Sequence, residues 1–75
     1  MNWLERMRLH RALSKQYDAA RAELYAVGDA WQVAWKDFCE KNDEESFIRY
    51  RAVCDRENAA FESMMIALRA LRMTL

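Results

Sequence analysis

The chain has 75 residues and a mass of 9.0 kDa, room for one small domain and no more. Hydrophobic residues make up 53% and charged residues 32%, which excludes a disordered tail, and no apolar run approaches the ~18 residues of a membrane helix. There is no proline and one glycine, Gly28, so the turn residues that strand-rich domains and phosphate-binding loops need are missing, and the expected class is all-α.

The first predicted helix covers residues 3–40. Asn2 and Glu5 form an N-terminal capping pattern. From Trp3, every seventh residue reads Trp3, His10, Tyr17, Leu24, Trp31, Phe38, and the row beside it reads Leu13, Ala20, Val27, Ala34. Apolar positions three and four apart form the seam of an amphipathic or coiled helix. The seven-residue phase runs through Gly28 without a slip, so one continuous helix is expected, with a kink at Gly28 as the alternative.

The polar run Glu40-Lys41-Asn42-Asp43-Glu44-Glu45 predicts a turn over 41–44, with Asn42 or Asp43 capping a second helix over 44–74. Its seam is read as Phe47, Cys54, Phe61, Leu68, Leu75, with Tyr50, Met64 and Leu71 beside it. A tight turn makes an antiparallel hairpin in which facing residues carry numbers summing to about 85. Phe38 then meets Phe47, Trp31 meets Cys54, Leu24 meets Phe61, Tyr17 meets Leu68 and His10 meets Leu75.

Two helices alone make a poor ratio of core to surface. A second apolar stripe offers a remedy. It comprises Leu9, Ala12, Ala19, Ala26, Ala30 and Val33 on the first helix and Ala52, Ala59, Ile66, Ala70 and Met73 on the second. Alanine favours helix wherever it sits, but Leu9, Val33, Ile66 and Met73 are not required for propensity. The stripe is therefore expected to be the interface of a homodimer, a four-helix bundle centred on Leu9, Ala12, Ala19, Ala26, Val33, Ala59, Ile66 and Met73.

Lysine plus arginine and aspartate plus glutamate each number 12, so the net charge is zero, without the basic excess of a nucleic-acid binder. The charge is nonetheless unevenly placed. In a hairpin, Arg69 and Arg72 return beside Arg6, Arg8, Arg11 and Lys15, making a basic open end, while the turn is acidic. That end suits an acidic protein surface, and Tyr25 with Trp35 forms an aromatic edge able to anchor a partner. His10, the one histidine, reads as a partly buried structural residue. Cys39 and Cys54 have no metal-type spacing and lie too far apart in a hairpin for a disulfide. The turn carboxylates lack the glycine-centred spacing of a calcium loop. No nucleophile–base pair, metal set or cofactor loop can be assembled, so no enzymatic activity and no cofactor is expected. The expected function is that of a small helical interaction module, a regulator or inhibitor of a larger protein. In size and style it is comparable to the modulators of host proteins that phages and plasmids encode, although no motif carries that likeness. An assembly or scaffold subunit is the first alternative and a nucleic-acid-binding helical dimer the second. Two cysteines and no signal-peptide core lead to an expected cytoplasmic setting, away from the membrane.

Overall fold

Asn2 starts the first helix. Its backbone is extended, and its side-chain oxygen accepts the Glu5 backbone N–H at 2.8 Å, satisfying one of the donors a helix start leaves open. The computed structural model describes residues 2–74, and in it α1 runs unbroken from Trp3 to Lys41 and α2 from Glu44 to Met73. Gly28 neither stops nor turns α1; its φ is negative and it continues the helix.

Two residues make the connection. Asn42 takes the left-handed conformation (φ 49°, ψ 41°), which asparagine tolerates better than most residues, and its N–H donates to the Phe38 carbonyl at 2.7 Å. Asp43 then caps α2. Its carboxylate accepts the Ser46 N–H at 2.8 Å while Ser46 Oγ accepts the Asp43 N–H at 3.4 Å, a reciprocal capping box. Ser46, its side chain first and then its backbone N–H, holds the Asp43 carboxyl below its usual value. The chain reverses here, and the helices lie along each other in a rod of 57 × 14 × 13 Å.

From Tyr17 to Phe38 the α1 seam is the one its sequence predicts; Trp3 and His10, expected to begin it, are exposed because α1 there runs past the end of α2. Tyr17, Leu24, Trp31 and Phe38 alternate with Leu13, Ala20, Val27 and Ala34, and all are at least half-buried. Val27 has no exposure at all. The α2 seam differs from expectation by one residue. Ser46, Val53, Ala60 and Ala67 face α1, joined by Tyr50, Glu57, Met64 and Leu71. Phe47 and Phe61, expected inside, are 42% and 51% exposed. The two rows flank the Tyr50 row equally and share its period, so periodicity alone does not choose between them. Packing does. The large rings on α1 fill the space between the axes, and the small row of α2 is the one that admits them.

The register holds at the turn, where the Phe38 and Phe47 rings meet at 5.4 Å. Trp31 meets Tyr50, at 5.9 Å, where Cys54 was expected. The buried Leu24–Phe61 pair is not formed, since Phe61 lies on the flank. Leu75, expected opposite His10, lies outside the described residues, and His10 is exposed. With 39 residues against 30, α1 projects about 13 Å beyond the end of α2 at ~1.5 Å per residue.

Adjacent alanines test this register. Ala60→Leu should destabilise the fold by about 1–3 kcal/mol through overpacking, and Ala59→Leu, on the surface, should stay within about 0.5 kcal/mol of the parent in urea unfolding. Equal costs at both positions would contradict the observed seam.

Candidate interaction surfaces

The one-residue offset gives the rod two unlike sides. Beside the seam on one side run Gln16, Glu23, Ala30 and Asp37 of α1 and Arg49, Arg56, Ser63 and Ala70 of α2. Arg49 bridges the helices to Asp37 at 3.0 Å, and Arg56 pairs with Glu23. Asp37 also pairs with Lys41, and Arg49 with Glu45. Outside these lie the alanines of the expected dimer stripe, with Leu9, Val33, Ile66 and Met73 all exposed. Two shallow concavities open here, one of about 520 Å³ between Ala19 and Ile66 and one of about 450 Å³ between Val33 and Ala52.

The other side carries most of the large side chains beside the seam. Its flanking rows are Met7, Ser14, Arg21, Gly28 and Trp35 on α1 and Phe47, Cys54, Phe61 and Leu68 on α2. Near the turn the rings interlock. Trp31 and Trp35 stack at 5.9 Å with planes 8° apart, and Trp35 lies 5.2 Å from Tyr50. The Cys54 thiol, and then burial, raise the Tyr50 pKa above the usual phenol range. Trp35 still leaves 44% of its surface open and Tyr25 66%. Arg21 covers Tyr25, its guanidinium 5.5 Å from the ring centre and 3.3 Å from the hydroxyl oxygen. The Cys39 and Cys54 thiols are both free.

The residues expected to form a basic end lie on the open half of the rod. Arg6, Arg8, Arg11, Lys15, Arg69 and Arg72 are all exposed. Arg6 and Arg11 line an open concavity of about 350 Å³ with Trp3, Met7, His10, Ser14 and Thr74. This is where α1 overhangs α2, and Trp3 is 72% exposed. Of the turn carboxylates, Asp37 and Glu45 are in ion pairs and Asp43 caps α2, and no cluster of three or more metal-ligating side chains forms among the described residues. No described helix is long and apolar enough to cross a membrane.

Sequence reasoning found Tyr25 and Trp35 as an aromatic edge and missed Phe47 and Phe61 as exposed surface, because it placed them in the seam. The available signal was the small row Ser46, Val53, Ala60, Ala67 facing the large row of α1. No known protein-family model, curated protein or solved structure matches the chain.

The cross-helix ion pairs make a pH prediction. Hydrogen bonding to Arg56 lowers the Glu23 pKa, and bonding to Lys41 and then Arg49 lowers that of Asp37. A carboxylate with a lowered folded-state pKa stabilises fully above its unfolded value, about 4, and loses that contribution as pH falls through the folded value. Thermal unfolding should therefore shift downward below about pH 4, and Glu23→Gln with Asp37→Asn should flatten that drop. An unchanged acid slope in the double variant would contradict the role given to these pairs.

Proposed function

We propose that the chain is a non-catalytic protein-interaction module that self-associates into a four-helix bundle and regulates or inhibits a larger protein by occupying its surface. One observation carries this reading. A folded monomer of this mass exposes about 4,900 Å², whereas this chain exposes 5964 Å². The excess of about 1,100 Å² exceeds the ~800 Å² that a standard interface removes from each partner. Large apolar side chains, among them Trp3, Tyr25, Val33, Phe61, Ile66 and Met73, are more than half exposed, as at a surface meant to be covered.

The overhanging start of α1 is the contact with the larger protein. Trp3, Leu4 and Met7 are exposed there beside Arg6, Arg8 and Arg11. An aromatic anchor ringed by arginines suits an acidic protein surface with an apolar pocket. Attraction between exposed charges is screened over about 8–10 Å near physiological ionic strength, so salt should slow association.

Capture from lysate of the source cell tests this. A protein should be retained in fixed stoichiometry and lost with Trp3→Ala or with Arg8→Glu plus Arg11→Glu, while circular dichroism stays unchanged. Loss with Tyr25→Ala or Trp35→Ala alone would move the contact to the aromatic side. Capture indifferent to all four changes would contradict an interaction function, and salt-steep binding to duplex DNA abolished by Arg8→Glu would replace it with nucleic-acid recognition.

A further inference from the structure

The hairpin is polarised along its length. The open half, residues 3–21 and 64–74, holds seven basic and two acidic side chains; the turn half, residues 22–63, holds five basic and ten acidic. Two hairpins side by side in the same direction would set basic half on basic half and acidic on acidic. In opposite directions, each basic half meets an acidic one. The overall charge of zero imposes no net repulsion in either case.

The two sides of the rod differ in what burial would cost. The ion-paired side flanks its seam with Glu23, Asp37, Arg49 and Arg56, whose hydration a covering chain would remove. The aromatic side carries one charge in its flanking rows, Arg21, against Trp35, Phe47, Phe61 and Leu68. Gly28 lies in the same rows near mid-length. Glycine inside a helix is about 1 kcal/mol worse than alanine. Nothing in the hairpin asks for it: its φ is negative, and a Cβ there would have no neighbour within 4 Å. It leaves a bare stretch of backbone about 6 Å along the rod from the level of Phe61.

We infer that the aromatic side is covered by a second copy of this chain running in the opposite direction, related by a two-fold axis near mid-length that brings Phe61 of each copy toward the notch at Gly28 of the other. This rests on the interaction reading above and names its first partner. It puts the dimer on the face opposite the alanine stripe, which stays outward. The basic half of each copy lies over the acidic half of its twin.

Four measurements on the full chain test it. Light scattering at micromolar concentration should give twice 9.0 kDa. With Cys39→Ser and Cys54→Ala, spin labels at Glu40→Cys should lie about 45 Å apart, each being some 15 residues from mid-length; parallel hairpins would bring them within about 25 Å. Phe61→Glu should raise the dimer dissociation constant at least about tenfold, while Val33→Glu changes it less than about twofold. Gly28→Leu should weaken the dimer at least about fivefold although leucine is the better helix former. A monomer, the short label distance, a dimer broken by Val33→Glu and not by Phe61→Glu, or a Gly28→Leu chain that dimerises as well as the parent would each overturn the proposal. A monomer whose captured protein is still lost with Trp3→Ala would overturn the dimer and leave the interaction reading intact.

Discussion

The whole arrangement depends on small residues of α2 facing large residues of α1. Ser46, Val53, Ala60 and Ala67 take up little room, so Tyr17, Leu24, Trp31 and Phe38 can fill the space between the two helices. Had the larger neighbouring row faced inward, Phe47 and Phe61 would have met those rings head on, and the axes would have had to separate. Two-helix proteins have few ways to reach the packing density of an interior. Large against small is one of them. Its consequence is that Phe47 and Phe61 are displaced onto one flank, and the molecule acquires an exposed apolar side by the same step that gives it a core.

The turn and the rings next to it hold this choice in register. Asn42 in the left-handed region and the Asp43–Ser46 box fix where α2 begins. Phe38, Phe47, Tyr50, Trp31 and Trp35 then lock the first turns together, each aromatic pair adding about 0.5–1.5 kcal/mol beyond its buried area. The cross-helix pairs Asp37–Arg49, at the level of these rings, and Glu23–Arg56, farther along the rod, sit on one flank only. Exposed pairs of this kind contribute little to stability. They do mark that flank as charged, and so leave the opposite one as the apolar side.

Much of the architecture was legible in the sequence. The Asn2 cap, the unbroken phase through Gly28, the polar turn and the α1 seam all follow from local rules that the structure obeys. The α2 seam was not legible from periodicity, because Ser46-Val53-Ala60-Ala67 and Phe47-Cys54-Phe61-Leu68 have the same spacing around Tyr50, Glu57, Met64 and Leu71. Hydrophobicity favours the second row; packing against the α1 rings selects the first. The candidate surface moved with it. Tyr25 and Trp35 were visible as an edge, while Phe47 and Phe61 joined them only once the helices were seen together. The exposure of His10 depends likewise on tertiary structure, on how far α1 overhangs α2.

Ala60 and its row, and not Phe61 and its row, face α1. Nuclear Overhauser contacts between methyl groups and rings read this directly in a chain dilute enough to be a single hairpin. Contacts are expected from the Ala60 methyl to Leu24 and Val27, and none from the Phe61 ring to Leu24. A strong Phe61–Leu24 contact with a solvent-exposed Ala60 methyl would contradict this packing.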